Sequence, residues 1–209
     1  MFGNHINNLF FKTCVFILGF VCSINLMAET KIAVLGDSLT QGHGVAPEDA
    51  FPKVLESILV EQGYEVKVIS NGVSGAVTSS GLKRLKLLIE EQPDVVLIEL
   101  GANDGLRSLP IAKIRRNLEE MITYAKDNGA HVILAGMRLP HSYGKVYRKD
   151  YEALFPALAE ENSITLIPFI LEGVAGNRDL NLSDGFHPNE DGHRIMAETI
   201  RPYVVQLIE

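Results

Sequence analysis

The chain has 209 residues, 46% of them apolar and 22% charged, which suits one globular domain and excludes wholesale disorder. Acidic residues outnumber basic ones by 26 to 19, a formal charge of -7, which argues against nucleic acid as the main partner. Two cysteines exclude a disulfide framework and the cysteine-rich zinc modules.

Residues 1–28 differ from the rest: they carry one lysine, Lys12, and no acidic residue. Thr13 to Ile24 is an almost unbroken apolar run, and the small Ala28 precedes the first acidic residue, Glu29. This is the layout of a secretory signal peptide, which leaves a domain over 29–209 in the periplasm or outside the cell. The run is shorter than the roughly 20 apolar residues of a membrane-spanning helix, so no stable anchor is expected after cleavage. An uncleaved anchor is the alternative, because Leu26 is a poor small residue two places before Ala28. Cys14 and Cys22 both fall in this leader, so the mature chain has no thiol.

Strands and helices then alternate. Lys31–Gly36 is a short apolar run ending in Gly and reads as a buried strand. Phe51–Gln62 reads as a helix stopped by Gly63, and Glu65–Ser70 alternates polar with apolar, as a strand near the sheet edge does. Leu82, Leu85, Leu88 and Ile89 mark a helical stripe before the β-branched strand Asp94–Leu100. Ile111, Ile114, Leu118, Met121, Ile122 and Ala125 form the clearest amphipathic helix, opened by Pro110 and closed by Gly129. His131–Met137 is the fourth strand. Tyr151, Leu154, Phe155 and Leu158 mark a helix, Ile164–Phe169 is the fifth strand, and a last helix from Glu190 to Leu207 is expected to bend at Pro202. Five strands separated by helices predict a three-layer α/β/α sandwich with a parallel, flavodoxin-like sheet of order 2-1-3-4-5. Ligands of such sheets bind at the carboxyl ends of the strands, beside the switch between strands one and three.

Polar residues of one kind stand at those ends. Gly36-Asp37-Ser38-Leu39-Thr40 follows strand one, Asn71-Gly72-Val73-Ser74-Gly75 strand two, and Gly101-Ala102-Asn103-Asp104-Gly105 strand three. Asp184-Gly185-Phe186-His187 follows strand five, ahead of the last helix. Together they offer a hydroxyl, backbone N–H groups, a carboxamide and an Asp/His pair, which is what a serine hydrolase requires. A serine hydroxyl is a weak nucleophile and needs a base, for which an imidazole, titrating near neutrality, is suited. Among the six histidines only His187 has an Asp three residues before it, close enough to hold the ring in one tautomer. The Ser38 and Gly75 N–H groups and the Asn103 amide are candidate oxyanion donors. Asp37 reads as a structural residue that holds the nucleophile loop. Taken alone, Ser38 also suits a helix N-cap and Asn103 a turn.

The four segments resemble the consensus blocks of the SGNH (GDSL) hydrolase family, in the family's order and across nearly the whole mature chain. The stretch Gly101 to Pro110, the length and the leader are most similar to its small exported bacterial thioesterase/lysophospholipase/arylesterase branch. The resemblance implies a serine esterase or thioesterase acting on small acyl esters, with Ser38, Asp184 and His187 catalytic and Ser38, Gly75 and Asn103 as the oxyanion hole. It implies neither metal nor other cofactor, and a monomer is expected. Leu106, Leu109 and Leu139 are candidates for an acyl pocket, against ordinary packing at the bases of the loops. A carbohydrate acetylesterase of the same family is the alternative enzyme. A flavodoxin-like cofactor binder and an inactive binding relative are the alternatives outside catalysis. His43 has no carboxylate beside it in sequence, His131 starts a strand, His193 falls in a helix that would pack it, and His43 with His141 has no metal-ligand spacing.

Overall fold

The computed structural model describes residues 29–209. The expected leader, with His5, Cys14 and Cys22, lies outside the described residues. The chain runs β1 (Thr30–Gly36), α1 (Ser38–Gln41), α2 (Phe51–Glu61), β2 (Val66–Gly72), α3 (Gly81–Ile89) and β3 (Val95–Glu99). It continues through α4 (Ala102–Leu106), α5 (Ile111–Asp127), β4 (His131–Ala135), α6 (Lys145–Asn162), β5 (Thr165–Ile167) and α7 (Glu190–Ile208). The five strands form one parallel sheet of order β2-β1-β3-β4-β5, as predicted.

The layering follows from the handedness of the crossovers. Passing from β1 to β2 moves one way along the sheet; every later step moves the other way. Right-handed crossovers therefore put α2 on one face and α3, α5 and α6 on the opposite face. The packing agrees: α3 lies against α5 and α5 against α6, while α2 pairs with α7. Central strands β1 and β3 are apolar on both sides because helices cover both, and Ile32 to Leu35 and Val95 to Ile98 are fully buried. The stripe read along α5 is buried from Ile114 to Ala125.

Several boundaries differ from the sequence reading. β2 extends to Gly72, because Asn71 and Gly72 pair in register with Leu35 and Gly36. β5 is shorter than read and stops before Pro168, which has no N–H to give the ladder. Asp94 precedes β3; its carboxylate accepts the Lys31 N–H at 2.8 Å. The last helix continues through Pro202, and α6 contains Pro156. The short helices α1 and α4 add to the elements read from sequence. Each starts directly at a strand end, and each carries a candidate site residue.

Candidate active site

Ser38 is the first residue of α1, and Asp37 is that helix's N-cap. Asp37 Oδ1 accepts the Leu39 N–H at 3.0 Å, so the cap reading belongs to Asp37 and not to Ser38. At the other end Gly42 adopts a left-handed conformation, φ 75°. Its N–H donates to Leu39 O, and the His43 N–H donates to Ser38 O at 3.0 Å. This paired closure turns the chain after one helical turn and brings His43 back beside Ser38.

The Asp184 loop reaches the same place from the other end of the chain. Asp184 Oδ1 accepts the N–H groups of Phe186, at 2.8 Å, and His187, at 3.0 Å. Its Oδ2 lies 2.7 Å from His187 Nδ1. The opposite ring nitrogen, His187 Nε2, is 3.0 Å from Ser38 Oγ. With Oδ2 accepting, Nδ1 carries the proton and Nε2 presents a lone pair to the hydroxyl. The three polar contacts draw the Asp184 carboxyl down to about 2, the largest cause being the His187 backbone N–H. Ser38 is 8% exposed while Asp184 stands at the surface, so the hydroxyl lies at the floor of a shallow rim.

The candidate oxyanion donors flank that hydroxyl's loop. Ser38 N–H is in the first turn of α1, where no intrahelical acceptor exists. Gly75 follows β2 at φ 74°, a conformation that favours glycine. Among the described residues neither N–H has a hydrogen-bond acceptor. Asn103, in α4, donates one amide hydrogen to Asp37 Oδ2 at 2.9 Å, which leaves its other hydrogen available.

Several groups that support the site were not singled out from sequence. Glu99, at the end of β3, is fully buried, and its Oε2 accepts from the Asp37 N–H (3.1 Å) and the Thr40 hydroxyl (2.8 Å). Burial, then the neighbouring Asp37, holds its carboxyl well above the usual range. Gly36 lets Thr40 and Glu99 approach: a Cβ there would lie 2.3 Å from Glu99 Oε2. Arg84 Nη1 joins the ends of β1 and β2 by donating to Gly36 O (2.8 Å) and Asn71 O (2.9 Å). Gln41 Oε1 accepts the Ser74 N–H, and Arg107 donates to Gly75 O, so the Gly75 loop is tied from both sides. An Arg or Glu in a helix or strand gives no sign in sequence of which loop it will meet.

His43, which has no carboxylate beside it in sequence, meets one in space. Its ring lies 4.5 Å, centroid to centroid, from that of His187. His43, Asp184 and His187 each offer a potential metal-ligand atom within 4.8 Å of the others. His193 is packed, as read: its Nδ1 accepts the Phe51 N–H and its ring stacks on Phe51. His131 and His141 are exposed, and His141 pairs with Arg148.

Of the pocket candidates, Leu106 is 39% exposed, Leu109 is partly buried against the core, and Leu139 is buried at 6%. Leu139 packs beneath Gly105, where a Cβ would lie 2.9 Å from its Cδ2. The exposed apolar side chains near these segments are instead Val73 and Phe186, on the loops that carry Gly75 and His187, and Leu106, at the end of the α4 helix that carries Asn103. A cleft of about 420 Å³ runs along edge strand β2 behind α1, lined by Thr40, Gln41, Lys53 and Ser70 among others. Its lining includes none of Ser38, Asp184 and His187, so the chemistry and the volume lie apart.

The GDSL-like Lipase/Acylhydrolase family matches residues 34–195, which contain all of these groups. The chain belongs to that family. It is a hydrolase of ester bonds. It is 40% identical to the arylesterase of Vibrio mimicus over 191 residues, 91% of this chain and 96% of that protein. It is 30% identical to thioesterase 1/protease 1/lysophospholipase L1 of Escherichia coli (strain K12) over 203 residues, 97% of this chain and 96% of that one. The psychrotrophic esterase EstA from Pseudoalteromonas sp., in a structure inhibited by monoethylphosphonate, superposes with a TM-score of 0.81 at 30% identity, covering 85% of this chain and 98% of that one.

Proposed function

We propose that the chain cleaves carboxylic esters and thioesters of apolar acyl groups through an acyl-enzyme on Ser38. The observation that carries this reading is the line Ser38 Oγ, His187 Nε2, His187 Nδ1, Asp184 Oδ2, with gaps of 3.0 and 2.7 Å. His187 takes the Ser38 proton as Oγ attacks the carbonyl carbon. The Ser38 and Gly75 N–H groups and the second Asn103 amide hydrogen receive the oxyanion, each donor contributing about 3 kcal/mol to the transition state. Collapse breaks the bond to the leaving alcohol or thiol, which takes the proton from His187. Water, deprotonated by the same nitrogen, then releases the acid and restores Ser38. The base must be neutral, so activity falls on the acid side.

The exposed Val73, Leu106 and Phe186 favour an acyl chain lying across the rim, with Leu109 behind it, over a sugar ester. Leu139 supports this wall from within the core. The relatives' names likewise favour acyl esters over the carbohydrate acetyl esters. Export belongs to the same reading: the leader is removed after Ala28, and the mature domain works as a monomer.

The test is intact mass of the secreted protein before and after a fluorophosphonate probe, with Ser38→Ala in parallel. One adduct on the wild type, none on Ser38→Ala, and a mass starting at Glu29 are expected. Ser38→Ala should also lower turnover by about four orders of magnitude. A folded wild-type protein without an adduct would refute the assignment of Ser38.

A further inference from the structure

We infer that His43, Asp184 and His187 form a binding site for one divalent transition-metal ion of the zinc class, and that its occupation switches the hydrolase off. The switching half rests on the proposed role of His187; the binding half does not. Two imidazoles and a carboxylate are the donor set that zinc, copper and nickel prefer, and three protein donors leave a fourth position for water. The ligand-type atoms already lie within 4.8 Å of one another. At metal–ligand lengths near 2.1 Å, tetrahedral donors sit about 3.4 Å apart. A pair at the 4.8 Å limit must close by about 1.4 Å, and Asp184 Oδ2 and His187 Nδ1, at 2.7 Å, must open by about 0.7 Å if both are ligands.

His43 is the side chain able to make that movement. It is exposed, and its ring lies against that of His187 at 4.5 Å between centroids. Its backbone is nevertheless held, through the Ser38 carbonyl and the left-handed Gly42, in the position that keeps the ring against His187. The ring can swing while its root stays fixed. Asp184 and His187 are already oriented by the tight Asp184–His187 turn, so two of the three donors need little ordering.

The inhibition follows from the electron pairs of imidazole. A neutral imidazole has one N–H and one lone pair. A metal on His187 Nε2 takes the lone pair that would accept the Ser38 proton. A metal on Nδ1 displaces the Asp184 contact and forces the proton onto Nε2, which can then only donate toward Ser38. In both arrangements no base faces the hydroxyl. The enzyme is then inactive with its fold intact, and removing the ion restores it.

The experiment uses the untagged mature protein and Zn²⁺ alone. Calorimetric titration of Ser38→Ala should show one Zn²⁺ per chain with a dissociation constant in the micromolar range. The double variant Ser38→Ala/His43→Gln should bind at least tenfold more weakly. In the active protein, Zn²⁺ should inhibit ester hydrolysis reversibly with a chelator, and His43→Gln, measured against its own metal-free rate, should need at least tenfold more Zn²⁺. No binding to Ser38→Ala, or equal binding with and without His43, would overturn the site. Binding that depends on His43 without inhibition of an active enzyme would overturn the switch. A metal-free protein that binds Zn²⁺ through His43 yet hydrolyses no ester would sink the proposed function and leave the metal site standing.

Discussion

Asn103 and Asp37, from the ends of β3 and β1, are joined by a 2.9 Å hydrogen bond from Asn103 Nδ2 to Asp37 Oδ2. Asp37 also caps α1 through its other oxygen. One buried carboxylate therefore aims the amide and holds the helix that starts with Ser38. Burial raises its pKa, and the Leu39 N–H and the Asn103 amide oppose that rise.

Asp37→Ala should consequently harm both stability and turnover. Loss of the cap costs about 1 kcal/mol, read as a shift in urea midpoint. Release of the Asn103 amide should lower kcat by about tenfold to a hundredfold with little change in KM, because the oxyanion exists only in the transition state. Asp37→Asn should recover part of the stability. A rise in KM at constant kcat would show that Asp37 serves substrate binding instead.

His193 predicts a pH dependence of folding. Burial chiefly, and then the charge of His187, lower its pKa to about 4 from the ordinary 6.5. The folded state thus refuses a proton that the unfolded chain accepts. This contribution is fully present above about pH 6.5 and is lost as pH falls through 4, about 3 kcal/mol in all. His193→Gln, which keeps an acceptor for the Phe51 N–H, should flatten the fall in unfolding free energy between pH 7 and 4. An unchanged slope in the variant would assign the acid sensitivity to other groups.

Glu99 carries the opposite sign. Its carboxyl is held well above the usual range, so between the unfolded and folded values the native state binds more protons. Its contribution is greatest at low pH and diminishes as pH rises through that interval. Its Oε1 has no hydrogen-bond partner among the described residues, so ionisation leaves a buried carboxylate oxygen unpaired beside the Asp37 carboxyl, opposed by the half-buried Arg84 guanidinium. Glu99→Gln should therefore weaken the decline of stability as pH rises above the ordinary carboxylate range, while keeping an acceptor for Thr40. Equal wild-type and variant slopes would count against a raised Glu99 carboxyl.

Leu106 should set chain-length preference. It is the exposed leucine nearest in sequence to Asn103, while Leu109 is partly buried against the core. Leu106→Ala should reduce kcat/KM for an octanoyl ester by about fivefold to thirtyfold, the worth of one to two kcal/mol of apolar contact. Acetyl ester hydrolysis should change less than twofold. Leu139→Ala should instead lower stability by about 2 kcal/mol or more, as a buried leucine does. A parallel loss on both esters for Leu106→Ala would remove it from the acyl site.

Local pattern was enough for the order of elements, the buried strands and the handed parallel sheet. Apolar runs such as Lys31–Gly36 and the stripe from Ile111 to Ala125 respond to burial in any α/β arrangement, and right-handed crossovers then leave few topologies. The site segments were legible for the same reason: each stands where a strand ends, and Asp184 and His187 are close enough in sequence to meet within a single turn. What the sequence could not state is which distant groups close upon these segments. Ser38 meets His187 across 149 positions, and Glu99 meets Thr40 across 59. Asn71 and Gly72 looked like loop residues until pairing with Leu35 and Gly36 drew them into β2. His43 has no carboxylate partner in its own segment because its neighbours come from the far end of the chain, and Leu139 packs against Gly105 of α4. Periodicity reports whether a residue faces inward. Only the packing of strand ends against one another decides what it meets there, since those contacts depend on distances that no short window of sequence contains.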